Sequence, residues 1–307
     1  MRICPDCARA ISESLPPGCH ACGWQGELRE GIPFYLGRRD REDPVLSDYF
    51  DNYEKIAGRD LNESIQDERY IKNQAENLIR IMGPLAGKRI ADVGSGKGFV
   101  VRALLAAGAD GVTAVDIAAS YLRTYSGLPG VTALGANAEN LPFADEFDCV
   151  AATDVMEHVL NVSSFLFSVN RALKKGGRFF VRVPYRENLL NYTPHLGCPY
   201  RFVHLRSFDE TVLADLLSGV GFRVEKIVKD GFLPDSPRDF WRKTARRSRF
   251  YDRLVRPALE KGLSDPTSTA GWPGWLAAPL FRPLEICAEA TKIRSFRRRS
   301  DGVVEGY

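Results

Sequence analysis

The chain has 307 residues, with 42 Lys/Arg against 39 Asp/Glu, 44% hydrophobic and 26% charged residues. That composition excludes a polycation and a disordered chain, and no apolar run approaches the roughly 20 residues needed to span a bilayer. The start, Met1-Arg2-Ile3-Cys4-Pro5, lacks the apolar stretch of a secretory signal, so a cytoplasmic location is expected and a disulfide framework is not.

Cys4-Pro5-Asp6-Cys7 and Cys19-His20-Ala21-Cys22 are two CxxC pairs separated by 11 residues. Four thiolates in such knuckles take a tetrahedral ion, most often zinc, and a full Cys4 set leaves no position open for chemistry. Residues 1–36 therefore read as a zinc ribbon, and the charged run 37–48 as a linker. Cys149, Cys198 and Cys287 are isolated and read as core or surface thiols. From about Tyr49 to Met82 the pattern is helical, with Ile71, Ala75, Leu78, Ile79 and Met82 at helical spacing and Gly83-Pro84 as the stop.

Strands and helices then alternate across a core assigned to residues 49–236. Arg89–Val93, Val112–Val115, Val131–Leu134, Phe147–Ala152, Arg178–Val183 and Arg223–Val228 read as six strands. Phe99–Ala107, Ser163–Leu173 and Phe208–Val220 read as helices between them. This alternation implies a mostly parallel sheet covered on both faces. Beyond Asp230 the pattern breaks. Residues 237–262 read as a basic helix and Leu284–Ile293 as a last one, giving a helical C-terminal extension over 237–307, with a short edge strand at Gly302–Tyr307. Residues 238–307 hold 15 Lys/Arg against 8 Asp/Glu, which makes this the electropositive part.

The first strand, ending Asp92-Val93, runs into Gly94-Ser95-Gly96-Lys97-Gly98, and a helix follows. Glycines let the backbone turn sharply and lie close to a ligand, and a helix N-terminus adds free amides at a positive dipole end. Asp116 closes the second strand 18 residues after Gly98, where a carboxylate can accept both hydroxyls of a ribose. A nucleoside-containing cofactor is implied, with NAD and S-adenosylmethionine both open. A NAD fingerprint would place its third glycine at residue 99, which is Phe.

Asp92-Val93-Gly94-Ser95-Gly96-Lys97-Gly98 resembles the first motif of class I S-adenosylmethionine-dependent methyltransferases. Ala136–Phe143 resembles their adenine-contacting segment, Phe147–Val159 their fourth strand and its sequel, and Leu173-Lys174-Lys175-Gly176-Gly177 the turn before their fifth strand. The ordered set covers roughly residues 49–230. The resemblance implies a Rossmann-like, doubly wound α/β fold and S-adenosylmethionine as cofactor. It implies cofactor contacts from Asp92, Gly94, Ser95, Gly96, Gly98, Asp116, Ile117, Asn137, Ala138, Glu139 and Asp154. Asp92 is implied to steer the amino-acid end of the cofactor and brace the glycine loop. The family usually carries Asp where this chain has Asn137, whose carbonyl can still accept from an adenine amino group. Gly31–Leu36 resembles the ending of small zinc-ribbon proteins of the Trm112 type. Some methyltransferases of the class use similar ribbons to help hold RNA, and others carry them with no nucleic-acid role.

In an open parallel sheet, ligands bind beyond the carboxyl ends of the strands. The acceptor should therefore face Thr153, Asp154, Glu157 and His158 after the fourth strand, and Pro184–Asn188 after the fifth. The long segment Tyr192–Ser207, with His195, Tyr200, Arg201, His204 and Arg206, reads as a substrate loop. A hydroxyl acceptor must lose its proton, for which His suits near neutral pH, so His158 and His204 are the candidate catalytic residues. The plainer readings are that His158 caps or braces, and Asp154 N-caps, a helix after the fourth strand. Three functions follow. The first is methyl transfer to a small-molecule, glycan or lipid-linked acceptor. The second is RNA methylation using the ribbon and the basic run Arg238–Arg256, which could equally touch an anionic membrane surface. The third is a non-catalytic interaction protein. Thr153-Asp154-Val155-Met156 lacks the NPPY-type signature of many nucleic-acid methylases, and the intact glycine loop with Asp116 argues for catalysis, so the first is preferred.

Overall fold

In the computed structural model, which describes residues 1–63, 68–231, 283–298 and 304–306, the chain opens with two cysteine knuckles and a hairpin. The hairpin strands are β1 (Glu27–Arg29) and β2 (Ile32–Phe34), joined by Glu30 and Gly31, both at positive φ. That is the two-residue turn whose twist suits adjacent strands. The charged run expected as a linker is helical instead. It contains α1 (Arg38–Glu42) and the start of α2 (Pro44–Glu63), with Pro44 in the first helical position, where its missing N–H costs nothing. The helix α3 (Glu68–Met82) follows and buries Ala75, Leu78 and Met82.

The core strands are β3 (Ile90–Val93), β4 (Val112–Asp116), β5 (Val131–Gly135), β6 (Phe147–Thr153) and β7 (Leu173–Pro184), with α4 (Phe99–Ala106), α5 (Ala119–Arg123) and α6 (Val162–Ala172) between them. Their side chains alternate between two apolar layers. Ala91, Val93, Val115, Val150, Ala152 and Phe179 face one layer; Ile90, Ala114, Cys149, Ala151 and Phe180 face the other. This is the period of two expected of strands buried on both faces. The first layer is closed by α6 and α7 (Glu210–Gly219), the second by α3, α4 and α5.

After α7 the chain forms β8 (Phe222–Asp230) and returns near its end as β9 (Glu285–Lys292). The nine-stranded sheet runs β1-β2-β5-β4-β3-β6-β7-β9-β8. The pairs from β2–β5 through β6–β7 are parallel; β1–β2, β7–β9 and β8–β9 are antiparallel. The helix expected over Leu284–Ile293 is therefore a central strand. Its Ala, Glu and Lys favour a helix by propensity, but pairing on both edges and burial of Ile286, Ala288 and Ala290 override that preference. The remaining strands, β10 (Phe296–Arg298) and β11 (Val304–Gly306), pair with each other in a separate two-stranded sheet. The helix expected over 237–262, with the Arg238–Arg256 cluster, lies outside the described residues. Among the described residues no helix is long and apolar enough to cross a membrane.

The ribbon is part of this core. Phe34 pairs with Gly135 across β2 and β5, and Tyr35 N donates to Gly135 O at 2.7 Å. A Cβ on Gly135 would meet the Phe34 ring at 2.1 Å, so only glycine admits the contact. Cys4, Cys19, Trp24 and Tyr35 belong to the first apolar layer; Ile32, Phe34 and Leu36 belong to the second.

Candidate active site

The strand order reverses at β3. The chain moves outward through β4 and β5 on one side and returns through β6 on the other, so the carboxyl ends of these strands part at a crevice. A cavity of about 810 Å³ opens there. Its floor is the turn after β3. Gly94 has φ +71°, and a Cβ there would lie 2.2 Å from Val155 Cγ2, so the turn passes under the β6 loop only as glycine. Gly96 N donates to Asp116 Oδ2 at 2.8 Å, and Ala118 N donates to Oδ1 at 2.9 Å. Those bonds fix the carboxylate while each oxygen keeps a second lone pair. Burial raises the Asp116 pKa, against the pull of these backbone donors.

The roof comes from distant segments. The helix α2 presents Tyr49, Tyr53 and Arg59 to the cavity, and the loop after β7 presents Tyr192, Leu196, Tyr200 and His204. The two are tied together. Asn52 Nδ2 donates to Arg201 O at 2.6 Å, Tyr53 OH to Phe202 O at 2.9 Å, and Arg59 Nη1 to Tyr200 OH at 3.1 Å. The same helix reaches the floor. Lys97 Nζ lies 3.1 Å from Asp60 Oδ1, and Glu54 accepts from the Ala119 and Ser120 amides at the start of α5.

Comparison with known proteins bears on this crevice. Residues 91–181 match the family described as "Methyltransferase domain". A probable S-adenosylmethionine-dependent methyltransferase of Mycolicibacterium smegmatis is 28% identical over 154 residues, 48% of this chain and 56% of that one. A demethylmenaquinone methyltransferase of Clavibacter sepedonicus is 36% identical over 107 residues, 33% of this chain and 43% of that one. This chain thus spans about half the length of these curated relatives. A chain from the complex between the Haloferax volcanii Trm112 methyltransferase activator and a methyltransferase superposes with a TM-score of 0.54 at 18% identity, covering 80% of this chain and 98% of that one. That likeness is one of fold. The match to a methyltransferase domain falls on residues 91–181, the stretch that forms the floor of the crevice.

The residues expected at the cofactor divide. Gly94, Ser95, Gly96, Asp116, Ile117, Asn137, Ala138 and Asp154 line the cavity. Asp92, Gly98 and Glu139 do not. Gly98 is the N-cap of α4 in a left-handed conformation. Glu139 Oε1 accepts from Asn161 N at 2.9 Å, at the head of α6. Asp92 sits behind the glycine turn, 1% exposed, and neither of its carboxylate oxygens has a hydrogen-bond partner among the described residues, so it braces no loop amide. Burial and then the Asp116 charge push its pKa up to about 7. Asn137 has a local reason. Its Nδ2 donates to Asp40 Oδ1 at 2.8 Å and its Oδ1 accepts from Glu139 N at 2.9 Å. An Asp at 137 would set two carboxylates against each other, because the buried Asp40 already supplies one from α1.

Both histidines reach the cavity. His158 lies in the turns between β6 and α6, and Asn161 is the α6 N-cap, so His158 caps no helix there. Asp154 caps nothing either; it follows β6 at positive φ and pairs with Arg182. The His158 and His204 rings meet edge to face, with centroids 4.6 Å apart. Burial, then the neighbouring His204, lowers the His158 pKa to about 3, so its ring is neutral. His204 stacks on Tyr192 at 4.0 Å, and its Nδ1–H donates to Glu187, which also accepts from Tyr192 OH. Of the other residues expected in the loop, Arg201 pairs with Asp48 at 2.6 Å and Arg206 donates to the Met156, Val159 and Leu160 carbonyls; neither lines the cavity.

At the far edge, Cys4 Sγ lies 3.6 Å from Cys22 Sγ, and Cys7 Sγ lies 3.6 Å from Cys19 Sγ, with all four sulfurs within 4.8 Å of one another. Tetrahedral Zn–S bonds of about 2.3 Å put sulfurs about 3.8 Å apart, so the set fits a zinc ion. The residues that sequence reasoning missed are those of α2. Tyr49, Tyr53 and Arg59 carry no motif, and their aromatic spacing resembles an ordinary packed helix face.

Proposed function

We propose that this chain transfers a methyl group from S-adenosylmethionine to a small-molecule acceptor, a class that includes glycan and lipid-linked intermediates. The observation that carries the reading is a single cavity with two unlike halves: a backbone-rich floor at the strand ends and an aromatic roof. In this reading the Gly94–Gly96 amides meet the amino-acid end of the cofactor, and Asp116 accepts from the ribose hydroxyls. Asn137 and Ala138 lie along the adenine. Cofactor chemistry supplies an electrophilic methyl group on a cationic sulfonium. The chain has to align the acceptor with it and exclude water, as the Tyr49–Tyr53–Tyr192–Tyr200 roof is placed to do. His158 and His204 stand on the acceptor side, where the reacting atom would come to rest. The acceptor named for the Clavibacter relative, demethylmenaquinone, belongs to this small-molecule class. In the ribbon, Cys4, Cys7, Cys19 and Cys22 hold one structural zinc ion.

Incubation of the purified chain with methyl-labelled S-adenosylmethionine and fractionated cell extract tests the acceptor class. Label is expected in the small-molecule or lipid-soluble fraction. Label confined to RNA or protein would overturn the assignment.

A further inference from the structure

Glu157, His158 and His204 form a second group of metal-ligating side chains, far from the cysteines in sequence. Their donor atoms all lie within 4.8 Å of one another. Glu157 is completely buried, and neither of its oxygens has a hydrogen-bond partner among the described residues. His158 Nε2 lies 3.8 Å from Oε1, beyond hydrogen-bond reach. His158 Nδ1 is buried and unpartnered as well. A carboxylate and an imidazole held this way are costly to bury unless something binds them. The third member is prepared differently. Glu187 takes the Nδ1–H of His204 and is itself fixed by Tyr192 OH, which leaves His204 Nε2 as its available nitrogen. A carboxylate behind a histidine in this manner orients a metal ligand and raises its basicity.

We infer that Glu157, His158 and His204 bind a divalent first-row transition-metal ion at the acceptor end of the cavity. Two imidazoles and one carboxylate suit Mn²⁺, Fe²⁺, Co²⁺ or Zn²⁺ better than Mg²⁺ or Ca²⁺, which prefer all-oxygen sets. Three ligands leave coordination positions open, and both histidines face the cavity. An acceptor oxygen completes the coordination, so the ion fixes which oxygen is presented to the cofactor half. The assignment of the open positions to an acceptor rests on the methyltransferase reading; the metal site itself does not.

Titration of the full chain holding one equivalent of zinc, which the four thiolates take in preference to the mixed set, with Mn²⁺, followed by electron paramagnetic resonance, tests this, because Mn²⁺ is a hard ion that does not displace zinc from thiolates. The expected result is one Mn²⁺ per chain, with pulsed spectra showing coupling to imidazole nitrogen in the wild type. Glu187→Gln, which removes the carboxylate behind His204 and leaves an amide oxygen to accept from Tyr192 OH, should weaken Mn²⁺ by about 10–100-fold, and Glu157→Gln by more than that. S-adenosylhomocysteine affinity should stay within about twofold of wild type in Glu157→Gln, which also reports that the variant is folded. No stoichiometric Mn²⁺ or Co²⁺ binding in the wild type, or bound Mn²⁺ without nitrogen coupling, overturns the proposal. Loss of S-adenosylhomocysteine binding in the wild type would instead strike the methyltransferase reading and leave the metal result standing.

Discussion

The floor and the roof of the cavity are built by different rules. The floor is made within one continuous stretch, residues 93–155, from strand ends, backbone amides and the Asp116 carboxylate. The roof joins α2 to the loop after β7, and two of its three pinning bonds, Asn52 to Arg201 and Tyr53 to Phe202, each span 149 residues. The floor draws on strand ends and turns close together in the chain, whereas the roof depends on contacts between distant segments. Cofactor affinity should therefore follow local substitutions, and acceptor turnover should follow long-range ones.

The largest expected effect lies at the edge of the floor, where β2 extends the sheet. Cys4→Ser with Cys22→Ser should remove the metal and destabilise the whole domain by on the order of 5 kcal/mol or more. The reason is that Cys4, Cys19 and Trp24 share the core layer with Val93, Val115 and Phe179. Calorimetric unfolding should show the single main transition moving down; an unmoved core transition would mean that the ribbon is an independent attachment. Next comes Gly94→Ala, which meets Val155 and a positive φ together. It should cost about 2–3 kcal/mol in stability or cofactor affinity, read by thermal melts with and without S-adenosylhomocysteine.

A smaller effect separates the two halves. Tyr200→Phe removes the hydroxyl that accepts from Arg59. It should raise the acceptor KM a few-fold, about 1 kcal/mol for one hydrogen bond, with cofactor affinity unchanged. An equal loss on both sides would mean that roof and floor are not separate.

The smallest concerns protons. Asp92 carries a pKa raised from 3.8 to about 7 in the free protein, so it is partly protonated at neutral pH. A cationic ligand group nearby favours the ionised form. Cofactor affinity should thus rise from pH 5 to pH 7 and level off above, with a fraction of a proton released on binding. Calorimetry in buffers of different ionisation enthalpy reads that fraction, and Asp92→Asn should abolish it. In the free protein the same group works against stability as pH rises from about 4 to 7, because the folded state holds the proton more tightly than the unfolded one.

The floor was legible because its signals are local. A strand, a glycine turn and an acid at the next strand end fall within the 27 residues Ile90–Asp116, and each has a backbone reason. The roof was legible on one side only. The loop 192–207 was marked by its length and polarity, while Tyr49 and Tyr53 resembled core residues of an amphipathic helix. The last strand, β9, was hidden because Ala288, Ala290 and Lys292 are helix formers whose sheet neighbours lie about 60 to 110 residues away. The run Arg38–Glu42 looked like solvated linker, although Asp40 within it is buried against Asn137. Charge alone does not mark a residue as exposed when a partner waits elsewhere in the fold.

The most direct test is equilibrium binding of S-adenosylhomocysteine by calorimetry to the wild type and to Asp116→Ala, with NAD as the competing nucleotide. The expected result is one S-adenosylhomocysteine per chain with micromolar affinity, about −8 kcal/mol. It should weaken by about 1.5–3 kcal/mol in Asp116→Ala, with no measurable NAD binding. Unchanged affinity in Asp116→Ala, or NAD bound more tightly than S-adenosylhomocysteine, would contradict the account.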